Sequence, residues 1–190
     1  MSSSEEKVHI TVLLPAGRLP LDIMQAALDL ASRYDLEIYL SILQNLRLLN
    51  VPQTAAEENK ATLAALGADF KAPDKFPIPR VCVGKPHCNL GIIDTRELSE
   101  KILAKFAGRT KTKAKLKIAI SACTLSCSGT KTSDIGIVAG RNGYDIFAGG
   151  KGGPAPKLGR LIRKEVDEDE MLRTIETLID FHDSKTLGKQ

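Results

Sequence analysis

The sequence predicts an α+β protein built in two parts, and three observations carry that prediction. Apolar residues alternate between strand-like runs and helix-spaced faces along the chain. A proline-rich stretch at residues 71–79 interrupts them, and all four cysteines lie beyond it in turn-like loops. A chain of 190 residues can bury one substantial core or two small ones. The break sets the expected domains at residues 1–75 and 76–190.

Residues 7–14, KVHITVLL, read as a strand that Pro15, Ala16 and Gly17 end. Pro20 suits the first turn of a helix reaching Tyr34, with Ile23, Ala26, Ala27, Leu30 and Ala31 on one apolar face. A second strand is expected at residues 37–41, resuming at 46–51. Thr54 with Glu57 forms a capping-box pattern for a helix ending near Gly67. Beyond the break, a first cysteine loop leads to a helix from Asp94 to about Phe106, and a strand at residues 116–121 delivers the second cysteine pair. Strands at residues 135–139 and 144–148 flank the turn sequence from Gly140 to Gly143, and a last helix covers residues 168–182.

Composition excludes several functions. With 43% hydrophobic and 26% charged residues and no long apolar stretch, no membrane partner is expected. The opening MSSSEE has neither the charged nor the apolar block of a signal peptide, so the expected location is cytoplasmic. A net charge of +4 is too mild, and 4% aromatics too few, to argue for a nucleic-acid partner.

The chemistry concentrates in the cysteines. Cys82 and Cys88 are separated by five residues, Cys123 and Cys127 by three. Buried core thiols, disulfides and a zinc knuckle are the ordinary alternatives. Polar, glycine- or serine-rich surroundings argue against the first, and the uneven spacing fits a zinc knuckle less well than an iron-sulfur cubane, whose corners accept ligands from separate loops.

Two further segments suggest an anion site. From Lys105 to Lys117 the sequence KFAGRTKTKAKLK has lysines and an arginine but no acid, and Lys113, Lys115 and Lys117 would share one face of an extended segment. Gly149, Gly150, Lys151, Gly152 and Gly153 could expose successive amides to an anion, although neither phosphate-loop pattern is present.

Three stretches, CVGKPHCNLGIIDTRELSEKI, KLKIAISACTLSCSG and SDIGIVAGRNGYDIFAGGKGG, resemble the nitrite and sulfite reductase family, and GRLPLDIMQAALDLASRYDLEIYLSILQNLRLLNVPQ resembles the ferredoxin-like half domain that precedes its cluster domain. The resemblance implies a ferredoxin-like half domain followed by an α/β siroheme/[4Fe-4S]-binding domain. It implies a [4Fe-4S] cluster on Cys82, Cys88, Cys123 and Cys127, with Cys127 also reaching a siroheme iron. Arg18, Lys115 and Lys117 match family cations for a small oxyanion, sulfite or nitrite, reduced by six electrons. Lys113, Gly149, Gly150 and Lys151 are then candidates to meet the siroheme carboxylates. An external electron donor such as a ferredoxin is implied. Many family members carry two such repeats, so a single-repeat chain suggests a homodimer. Three positions depart from the pattern: Leu43 stands where the family has arginine, and Ala122 and Thr124 replace the usual glycine and proline. Loss of that arginine keeps two alternatives open, an electron carrier and a siroheme-binding protein without reductase activity.

Overall fold

The computed structural model describes residues 6–73, 75–113 and 115–185, and the chain divides into two compact units, Met1–Lys71 and Ala72–Gln190. In the first unit β1 (Lys7–Leu13), β2 (Glu37–Leu40), β3 (Leu46–Pro52) and β4 (Asp69–Phe70) form an antiparallel sheet in the order β2-β3-β1-β4. Helices α1 (Leu21–Tyr34) and α2 (Ala56–Ala65) pack on it and on each other. The alternation in β1 and β3 puts Ile10, Val12, Leu46 and Leu48 inward, where they meet Ile23, Ala27 and Leu30 of α1 and Leu63 of α2. Each such large side chain removed from water contributes ~1.5–3 kcal/mol.

Two expectations change here. The strand expected to resume after a pause is a hairpin: β2 pairs antiparallel with β3, because Gln44 adopts a left-handed conformation and its N–H donates to Ser41 O across a tight turn. The second helix opens at Ala56, after a 3-10 turn at Gln53–Ala55, so its N-cap is Ala55, which has no side-chain oxygen to offer.

The second unit holds β5 (Arg80–Val81), β6 (Ile118–Ser121), β7 (Ile135–Gly140), β8 (Gly143–Ala148) and β9 (Arg160–Val166) in one sheet of that order. Strands β5, β6 and β7 run parallel, whereas β8 and β9 are antiparallel additions. The crossover from β5 to β6 carries α3 (Thr95–Phe106), whose N-cap Asp94 accepts from the N–H groups of Arg96 and Glu97. Helix α4 (Glu168–Ser184) follows β9 and is capped by Asp167. Phe106 of α3 and Met171, Ile175 and Ile179 of α4 are buried, as are Ile118, Ile120, Ile135, Ile137 and Ile146 of the sheet. Lys105 of α3 and Arg109 just beyond its end bind Glu176, and Arg109 also binds Asp180, so two cations of the basic run hold α4. Among the described residues, no helix is long and apolar enough to cross a membrane.

Candidate metal centre

Parallel pairing of β5 and β6 puts their C-terminal ends side by side, and each end runs into a cysteine loop. Cys82 follows Val81 directly, and its N–H donates to Ile120 O at 3.2 Å. The first loop folds back on itself through His87 N–H to Gly84 O and Gly91 N–H to Cys88 O, with a cis peptide between Lys85 and Pro86. Gly84 is required as glycine: its φ is +60°, and a Cβ there would stand 2.8 Å from Thr95 Oγ1, which itself donates to Cys82 O at 2.6 Å.

Two hydrogen bonds join the loops. Ile92 N–H donates to Ala122 O at 2.8 Å, and Ala122 N–H donates to the Cys82 sulfur at 3.2 Å. The second loop turns twice, through Ser126 N–H to Cys123 O and Gly129 N–H to Ser126 O. Ser126 holds a left-handed backbone, which its hydroxyl contact with Thr130 supports locally. The chain then runs back across the sheet to β7. Ser121 and Ser128 share a buried hydroxyl hydrogen bond of 2.7 Å, and Thr130 O lies where a Cβ on Gly136 would be, only 2.1 Å away. Glycine at 136 is what lets the return segment rest directly on the strand.

All four cysteines are free thiols; Cys82, Cys88 and Cys123 are half-buried and Cys127 is exposed. Among the described residues no three His, Cys, Asp or Glu side chains gather as ligands of one metal ion. Donor chemistry, rather than a preformed ligand cage, therefore carries the test of fit. The donor set fits the cluster: four soft sulfurs on two tied loops, one already receiving a backbone N–H of the kind that tunes cluster sulfurs.

The cations fall elsewhere. Leu116 N–H donates to Lys113 O, so the segment turns and the three lysines are not the extended row expected from their alternation; Lys115 and Lys117 are exposed. They precede β6, whereas the cysteines follow it, and a strand of four residues separates them by ~13 Å of rise. Asp134 sits beside them, accepting from Lys117 N–H at 2.8 Å through its side chain and from Gly149 N–H at 2.9 Å through its carbonyl. Gly150 is buried, and a Cβ on it would meet Lys131 O and Ser133 O at 2.6 Å. Close packing therefore explains Gly150, and the Gly149 amide is already donated. Lys151 and Lys157 form an isolated antiparallel bridge. In the first unit, Gly17 packs against the Gln44 side chain, which brings the loop of Arg18 beside the turn containing Leu43; both residues are exposed.

Sequence reading missed Arg80. It lies two residues before Cys82 on the same face of β5, in a segment read as loop. Its Nη2 reaches Ser133 Oγ at 3.4 Å, its Nε is shielded from solvent without a partner among the described residues, and partial burial lowers its pKa from the ordinary arginine value.

Comparison with known proteins decides the family. The nitrite and sulphite reductase 4Fe-4S domain matches residues 78–189, and the nitrite/sulfite reductase ferredoxin-like half domain matches residues 2–66. The chain belongs to the nitrite and sulfite reductase family. A [4Fe-4S] cluster and siroheme are the cofactors of this family. An assimilatory-type sulfite reductase of Nitratidesulfovibrio vulgaris is 25% identical over 88% of this chain and 77% of its own length. The large subunit of a Klebsiella oxytoca nitrite reductase [NAD(P)H] is 31% identical over 53% of this chain, which spans only 10% of that protein. Among solved structures, the Mycobacterium tuberculosis NirA protein matches with TM-score 0.78 and 22% identity, over 98% of this chain and 37% of that one, and shows the fold. The reductase family's α+β architecture, a ferredoxin-like half domain followed by the cluster domain, is thus the one expected from the sequence.

Proposed function

We propose that this family member is a small siroheme- and [4Fe-4S]-dependent oxidoreductase that reduces sulfite, or nitrite, by six electrons. The observation that carries this reading is the joining of the two cysteine loops, through Ala122, at one end of β5 and β6. Cys82, Cys88, Cys123 and Cys127 hold the cluster in this reading. Cys127, the one exposed thiol, is the sulfur free to be shared with the siroheme iron. Cluster and siroheme together would supply electrons one at a time to the bound oxyanion. Sulfite is favoured because relatives named as sulfite reductases match along 88% to 94% of this chain, whereas those named as nitrite reductases match along 49% to 54%. An external donor such as a ferredoxin supplies the electrons, in the cytoplasm. Absorption of anaerobically purified protein tests the reading: siroheme bands with sulfide production support it, an iron-sulfur shoulder alone leaves an electron carrier, and colourless protein overturns both.

Arg18, Lys115 and Lys117 bind the oxyanion and deliver protons as its bonds to oxygen break, and Lys113 and Lys151 meet siroheme carboxylates, with Gly149 and Gly150 shaping the adjoining loop. Because the lysines and the cysteines occupy opposite ends of β6, a homodimer completes the site, the cations of one copy serving the cluster of the other. Chains carrying Cys127→Ser and Lys115→Ala, each inactive alone, are then expected to regain about a quarter of wild-type turnover when co-expressed, by random pairing of copies. A strictly monomeric protein, or no recovery, would remove the dimer.

Leu43 favours the carrier as second reading, since leucine offers no bidentate contact to an anion. Beside the Arg18 loop, Leu43→Arg is expected to lower the sulfite KM about tenfold, the effect of one charge-assisted hydrogen bond of ~1.5–3 kcal/mol. Unchanged, negligible turnover in this variant would count for the carrier.

A further inference from the structure

We propose that Arg80 is the built-in counter-charge of the cysteine centre, a half-buried guanidinium against the second cysteine loop that raises the reduction potential of the cluster. The proposal rests on the reading of the four cysteines as cluster ligands. Arg80, Ala119 and Gly136 align across β5, β6 and β7, so their side chains share the sheet face on which the return segment lies, and Cys82 is two residues on along the same face. Gly136 admits the Thr130 backbone onto that face, so the return segment lies beside Arg80 there. Gly129, at φ +71° and two residues beyond Cys127, borders the guanidinium: a Cβ there would stand 2.8 Å from Arg80 Nη2.

What this arginine lacks is an acid. Arg96, Arg109 and Arg163 each pair with carboxylates. Among the described residues no carboxylate pairs with Arg80; its Nε donates to nothing and its Nη2 has only the long contact to Ser133. Arg80 is half-buried, and a cation partly withdrawn from water without an anion is destabilising. Arginine keeps its proton at every working pH, so the charge is permanent. Four thiolates around an iron-sulfur cube form a net anion that gains one more negative charge on reduction. A fixed cation beneath their loop offsets that charge and favours the reduced state. Arg80 is in this sense a positioning and tuning residue rather than a catalytic one.

Redox titration of cluster-loaded protein, followed by the electron paramagnetic resonance signal of the reduced cluster, tests this on Arg80→Gln and Arg80→Lys. Glutamine is expected to make reduction about tenfold less favourable, ~59 mV more negative for one electron, and lysine to stay near wild type. A second measurement does not need the cluster. In the apoprotein, Arg80→Gln is expected to unfold at or above the wild-type temperature, because a half-buried charge that no carboxylate offsets has been removed. A loaded glutamine variant with the wild-type potential, or an apo variant less stable than wild type, overturns the proposal. Failure of the wild-type protein to take up any cluster would instead defeat the reading of the cysteines, whatever Arg80 does.

Discussion

Cys127→Ser is expected to strip the protein of its siroheme while leaving an iron-sulfur centre held on Cys82, Cys88 and Cys123. The three retained thiols are half-buried in loops fixed by the Ile92 to Ala122 and Ala122 to Cys82 hydrogen bonds, none of which involves residue 127. The cluster loses one of four ligands, and the serine oxygen is too hard a donor to replace the shared sulfur. Removing even an outer-shell partner of a metal ligand costs about 10–100-fold in affinity, so loss of a direct ligand is expected to weaken siroheme retention by at least about a hundredfold. Fold stability should change little, because the Cys127 side chain faces solvent. The checks are the siroheme absorption bands, the iron content per chain and the unfolding temperature. Unaltered bands would reject the shared-sulfur assignment. Collapse of the iron content together with the unfolding temperature would show that Cys127 supports the loop rather than the haem.

The pattern of what could be read from the chain follows from how local each determinant is. Helix α1 is legible because Ile23, Ala27 and Leu30 repeat at helical spacing and Pro20 sits at its N-cap, and α3 because Asp94 caps a face of Leu98, Ile102 and Phe106. The turn between β7 and β8 is legible because Gly140 and Gly143 pair across it. By contrast β5 is only Arg80 and Val81 after Pro77 and Pro79, and it is a strand solely because β6, nearly forty residues on, pairs with it. Strand β9 carries charge on both faces, RLIRKEV, and five of its residues are exposed, so no alternation marks it. Its existence depends on β8. The lysines at 113, 115 and 117 mislead in the opposite direction: they alternate as a strand would, yet the chain turns at Lys113 and the strand begins at Ile118. For the candidate centre, cysteine identity and spacing were legible. The contact between loops was not, since it depends on the register of Val81 with Ile120. Arg80 escaped for the same reason.

That non-local dependence makes Gly136 the most sensitive position outside the cysteines. On Gly136→Ala, the new methyl would stand 2.1 Å from Thr130 O and 2.7 Å from Thr130 C. Both are backbone atoms of the 3-10 turn at Thr130–Thr132, so no rotamer change relieves the overlap, and the return segment must lift from the sheet. Overpacking of this kind costs about 1–3 kcal/mol, which in a chain of this size lowers the unfolding temperature by about 2–12 °C. Lifting the segment also pulls on the Ser121 to Ser128 hydroxyl pair and on the turn below Cys127, so cluster loading should fall by more than the loss of folded protein alone accounts for. Gly152→Ala serves as the comparison, because nothing lies within 4 Å of the Cβ it would add. Iron content and thermal unfolding of the two variants, measured side by side, separate the outcomes. Wild-type values for both would mean that the return segment is not clamped to β7. Loss of stability with undiminished iron per folded chain would mean that the clamp supports the fold while the cysteine loops are held by their own hydrogen bonds.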